Sequence, residues 1–85
     1  MTQMIARFKV ADFAKFRTEF DADNPRRSHN SLNLLQLWRE SDTDAWALFE
    51  VTDAARANTY ISVMKAIFGP KAGVQSSEFH FVETA

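Results

Sequence analysis

Two histidines, one tyrosine, two tryptophans and interspersed charges make up the chemical stock of this 85-residue chain. His80 is the titratable side chain of greatest interest, because an imidazole changes charge near neutral pH and serves as acid, base or ligand. Against that, a single histidine in a strand is more often a hydrogen-bonded structural residue. Arg7, Glu50 and Glu78 fall at alternating strand positions that put them on one sheet face. There they form either an anion-anchoring arginine shaped by a carboxylate or cross-strand ion pairs, some across an interface. Trp38 and Trp46 offer flat surfaces for an aromatic ligand or bulky anchors for a protein partner. Tyr60 lies beside the apolar stripe of a helix, where its hydroxyl reaches a pocket or solvent. His29 follows Arg26 and Arg27 in a polar stretch, far from His80. With no helical histidine pair and no clustered carboxylates, no metal site is expected. No nucleophile has a visible base, and Gly69 and Gly73, the only glycines, make no phosphate-cradling loop.

The elements that position these residues follow from hydrophobic periodicity. Gln3 to Val10 alternates as a strand, with Met4, Ala6, Phe8 and Val10 on one face and Ile5, Arg7 and Lys9 on the other. Asp12 is placed to cap a helix carrying Phe13, Phe16 and Phe20, which should end near Ala22 because Asn24-Pro25 disfavours continuation. A further helical turn is tolerated after Pro25, but Arg26 to Ser31 reads as a polar loop. Leu32 to Arg39 reads as a strand with Leu35 and Leu37 on one face and Leu34, Gln36 and Trp38 on the other. Ser41-Asp42-Thr43-Asp44 turns the chain into the strand Ala45 to Val51. Thr52-Asp53 then starts a long helix striped by Ala57, Ile61, Met64 and Phe68. Gly69 supplies a left-handed cap and Pro70 stops it, Lys71-Ala72-Gly73 connects, and Ser76 to Glu83 is the last strand.

The order strand, helix, strand, strand, helix, strand predicts an α+β domain spanning residues 1–85. Its expected form is a ferredoxin-like βαββαβ fold, a four-stranded antiparallel sheet with two helices on one face. Such a small domain buries only about 60% of its unfolded surface, and without cysteine it has neither disulfides nor thiolate metal sites. Reinforcement from a partner chain is the natural remedy. A formal charge of -1, with both signs interspersed, lacks the footprint of a nucleic-acid binder. Nothing in the chain reads as a membrane span or a secretory leader, so a soluble cytoplasmic protein is expected.

One face of the sheet is explained by the helices, which Ala6, Phe8, Leu35, Leu37, Phe49, Val51, Phe79 and Phe81 can meet. The other carries Ile5, Leu34, Trp38, Trp46, Leu48 and Val82 beside Arg7, Gln36, Glu50, Glu78 and His80. A patch of that kind reaches roughly several hundred Å², the size at which an interface or ligand site is expected.

This βαββαβ pattern with a partly apolar outer face resembles the dimeric α/β-barrel superfamily, which includes the antibiotic-biosynthesis monooxygenases and small bacterial proteins of unassigned function. The most similar local stretch is Phe49-Glu50-Val51-Thr52-Asp53-Ala54-Ala55-Arg56-Ala57, at a strand-into-helix junction. The resemblance implies a homodimer formed through the sheet face and a pocket for a small apolar or aromatic molecule. If the protein is an enzyme, it implies cofactor-independent oxygenation of an activated aromatic substrate. Arg7 would then hold the anion, His80 would move the proton, and Trp46, Trp38, Tyr60 and Glu50 would contact substrate. The first strand has Arg7 in place of the pocket asparagine of haem-degrading and quinone-forming members, and His80 is on a strand rather than the second helix. A non-catalytic dimerisation or ligand-binding module is the alternative.

Overall fold

The computed structural model describes residues 1–85. Strand β1 (Thr2–Val10) buries Met4, Ala6, Phe8 and Val10, as the alternation predicts. Helix α1 (Phe13–His29) starts on Asp12, whose extended backbone lets its carboxylate accept from the Ala14 amide at 3.0 Å. Phe16 and Phe20 are fully buried.

The helix does not stop at Ala22, and of the stretch read as a loop, Arg26 to His29 is helical and only Asn30 and Ser31 form a turn. The helix runs through Pro25 to His29. Pro25 and Asp21 both face solvent, so the carbonyl that loses its helical donor is available to water. Beyond the proline, Arg27 is wholly enclosed and holds the last turns against the core. The Asn30 side chain donates to the Arg26 carbonyl at 2.7 Å, and Ser31, at φ 70°, reverses the chain.

Strands β2 (Leu32–Ser41) and β3 (Asp44–Val51) form the hairpin, and β3 alternates without interruption. Strand β2 does not. Leu34 pairs with Phe49 and Gln36 with Leu48, so Leu35 is the extra residue of a bulge. The predicted facing is therefore corrected: Leu34 and Leu37 pack against the core, while Leu35 is 51% exposed. One inserted residue reverses the parity of everything before it.

Helix α2 (Ala54–Val63) starts on Asp53, which accepts from the Arg56 amide at 3.1 Å. It passes into a π-helical turn, Met64–Phe68, and then into α3 (Gly69–Ala72). Gly69 is right-handed and its amide reaches back to the Met64 carbonyl, so the expected stop at Gly69-Pro70 is absent. Pro70 falls in the first turn of α3, where a missing N–H costs nothing, and the left-handed cap is Gly73 at φ 73°. Strand β4 (Val74–Glu83) follows at once, two residues earlier than predicted.

The sheet is antiparallel in the order β2-β3-β1-β4. Its core is aromatic: the Phe8 ring lies 5.1 Å from Phe16, 6.1 Å from Phe20 and 5.8 Å from Phe79, and Phe68 lies about as close to Phe16 and Phe20. Each such pair adds about 0.5–1.5 kcal/mol beyond its burial. No helix is long and apolar enough to cross a membrane.

Candidate functional site

Strand register sorts the candidate residues into rows across the outer face. Trp38, Trp46, Arg7 and Glu78 form one row through all four strands. Gln36, Leu48, Ile5 and His80 form the next, and Asn33, Glu50, Gln3 and Val82 the third. His80 is thus diagonal to Arg7, on an exposed edge strand. Arg7, Trp46, Leu48 and Glu50 are half-buried, whereas Trp38 is 46% exposed.

Polar contacts tie this face together at one end. The Arg7 guanidinium lies 5.2 Å from the centre of the Trp46 ring and donates to Asp44 at 3.3 Å. Its carboxylate partner is therefore Asp44, not Glu50 or Glu78. The Asp44 carboxyl is partly desolvated, but hydrogen bonds from Ser41, Arg7 and Thr43 outweigh this and hold it below its ordinary value. The Trp46 indole N–H donates to Glu40 at 2.6 Å. Trp46 and Trp38 enclose no cavity within a single chain.

Tyr60 is separated from this group by the sheet. It is buried among the helices and donates to Asp23 at 2.9 Å. Burial, then the hydrogen bond to Asp23 and its charge, push the phenol up to about 12, so Tyr60 stays a neutral donor. Asp23 also lies 3.5 Å from Arg27, whose guanidinium stacks 3.7 Å from the centre of the Phe20 ring. Desolvation lowers the Arg27 pKa to about 10, against the opposing pull of Asp23. The buried role of Arg27 is not predicted above, although it continues the stripe of Phe13, Phe16, Phe20 and Asp23. Tyr60 and Asp23 also border a groove of about 120 Å³ between α1 and the second helical segment.

The cavity with an apolar floor lies elsewhere, between the π turn and the start of β4, and has a volume of about 170 Å³. Phe8, Met64 and Phe68 are its buried lining, and Phe79 is half-buried beside them. Two departures from regular backbone converge there. One is the π turn, which carries Met64 and Phe68. The other is a bulge in β4, where Lys9 pairs with Ser76 and Val10 with Val74, leaving Gln75 unpaired. Both kinds of irregularity are enriched at functional sites. Nothing in the sequence announced either one, because Gly69-Pro70 reads locally as a helix stop. No group of three or more His, Cys, Asp or Glu side chains is arranged to hold a metal ion.

No protein-family model matches the sequence, and no curated protein does. Solved structures do match over the whole chain. SnoaB, a cofactor-independent oxygenase from Streptomyces nogalater, superposes with a TM-score of 0.70 at 16% identity, covering 99% of this chain and 92% of its own. An uncharacterized NIPSNAP domain protein from Burkholderia xenovorans gives 0.68 at 13%, covering 100% and 95%. The de novo designed protein Foldit4 also gives 0.68 at 10%, covering 99% and 98%. The chain has the ferredoxin-like fold that these structures share. An oxygenase and a designed protein superpose about as well as each other, so the fold alone does not name an activity.

Proposed function

We propose that this chain forms a homodimer through its outer sheet face, and that each protomer binds a small, largely apolar aromatic molecule between the π turn and β4. The observation that carries the binding reading is the convergence of two backbone irregularities on one cavity floored by Phe8, Met64 and Phe68. Its volume of about 170 Å³ suits one aromatic ring, since an apolar cavity of ~150 Å³ takes up benzene. The dimer reading rests on Trp38, Trp46, Ile5, Leu48 and Val82, which share a face that no other part of the chain covers. A cysteine-free chain suits the reducing cytoplasm, where we place it.

The fold shared with SnoaB makes oxygenation of an activated aromatic the first reaction to test. A dihydroxyaromatic ring supplies the electrons for dioxygen itself, so the protein need only exclude water and stabilise an anion. In that reaction the substrate would sit instead between the two sheets of the dimer, where Arg7 would hold the anion, His80 would move the proton, and Trp46, Trp38 and Glu50 would line the space. The non-catalytic reading is favoured by the helix-side cavity, whose lining has no histidine, carboxylate or tyrosine.

The test mixes the protein with dihydroxyaromatics under oxygen, following side-chain NMR shifts of Met64, Phe68 and Phe79 together with dioxygen uptake. Shifts confined to these residues support the binding reading, and their absence for every compound overturns it. Steady uptake that falls in His80→Ala supports the oxygenase, and binding without uptake supports the module.

A further inference from the structure

The rim of the helix-side cavity differs chemically from its floor. Lys65, on the π turn, is its only charged lining residue, and the ammonium lies 5.6 Å from the centre of the Phe79 ring. No carboxylate lies within ion-pair distance of Lys65, whereas Lys71, in α3, is paired with Glu19. The remaining rim is Gln75, Ser76 and Ser77, which offer neutral donors. Ser76 and Ser77 also border a polar cavity on the other side of β4, whose charged residues are Arg7, Lys9 and Glu78. Arg7 is paired with Asp44, and Lys9 has no acidic partner. Lys9 is offset there by Glu78, so the charge at the mouth of the helix-side cavity is the unpaired Lys65 ammonium over an aromatic floor.

We propose that the ligand of this cavity is a single-ring aromatic carboxylate, its ring against Phe8, Phe68 and Phe79 and its anionic group on Lys65. This specifies the chemical class of the ligand and rests on the binding reading above. An uncharged aromatic would fill the same volume but leave the ammonium unpaired. A cationic one would meet Lys65 head-on. Lys65 is exposed, where an ion pair changes affinity by up to about fivefold, so the carboxylate should bind about two- to fivefold more tightly than its neutral isostere.

Calorimetric and NMR titrations with benzoate and benzamide, on the wild type and on Lys65→Gln, test this. Benzoate is expected to bind the wild type about two- to fivefold more tightly than benzamide, shifting Met64, Phe68 and Phe79. In Lys65→Gln the preference for benzoate over benzamide is expected to vanish. Because Lys65 is exposed, the variant should fold, and its circular dichroism checks that it does. Raising the salt concentration should erode the preference in the wild type. Equal affinities in the wild type, or a preference that survives in Lys65→Gln, would overturn the carboxylate assignment and leave the cavity reading intact. If neither compound binds, the cavity reading falls and the assignment with it.

Discussion

On the helix side of the sheet, Met4, Ala6, Ala47 and Phe49 are completely enclosed by elements of the same chain. One residue along the same strands, Ile5, Arg7, Trp46 and Leu48 remain half exposed, and Trp38 beside them is 46% exposed. The first face is finished by α1, α2 and the π turn, so its packing is a property of the single chain. The second carries Ile5, Trp38, Trp46, Leu48 and Val82 with no element of the chain folded over it, and this is the face on which the proposed partner would sit. Substitutions on the two faces should therefore fail in different ways, one at any concentration and the other as a function of it.

The largest effect is expected on the finished face. Phe20 touches the aromatic cluster on one side and carries the Arg27 guanidinium on the other. Phe20→Ala should cost about 3–5 kcal/mol, enough to leave so small a domain largely unfolded. Urea titration should show this loss to be the same at every protein concentration; a loss below about 1 kcal/mol would break the contrast.

Next in size is the open face. Trp46→Ala should weaken the dimer by about 2 kcal/mol or more, the usual size of an indole anchor. Light scattering should then report the 9.7 kDa chain rather than twice that mass at micromolar concentration. The concentration dependence of the unfolding midpoint should disappear with it. A wild-type particle already at 9.7 kDa would remove the partner from the comparison altogether.

The smallest effect belongs to the polar link between α1 and α2. Tyr60→Phe should cost about 1 kcal/mol at neutral pH, the net value of a buried hydrogen bond. The phenol of Tyr60 is raised from 10.0 to about 12, so the stability it adds is fully present below pH 10 and is lost as pH climbs to 12. The advantage of the wild type over Tyr60→Phe should shrink across that interval. As Tyr60 is the only tyrosine, tyrosinate absorbance reads its titration directly, with a midpoint near 12 when folded and near 10 in urea.

Much of the fold was legible in short-range pattern. The period-two runs of β1 and β3, the caps at Asp12 and Asp53 and the turn at Ser41–Asp44 all depend on neighbours in sequence. So did the placement of Arg7, Glu50, Trp46, Trp38 and His80 on one sheet face, which the register bears out. The route of α1 through Pro25 was not legible, because the proline argues locally for a stop and only the enclosure of Arg27 argues against it. The same holds at Gly69-Pro70, which a π turn carries past the expected end.

The sequence by itself determined the order of elements, the inner faces of β1 and β3, and the surplus of indole on the side away from the helices. Tertiary structure alone decided the bulges at Leu35 and Gln75, the π turn, the partner of Arg7 and the cavity under Lys65. The division has one physical cause. Periodicity records what each segment prefers, whereas bulges, wide turns and buried charges are compromises between segments that meet only after the chain has closed on itself.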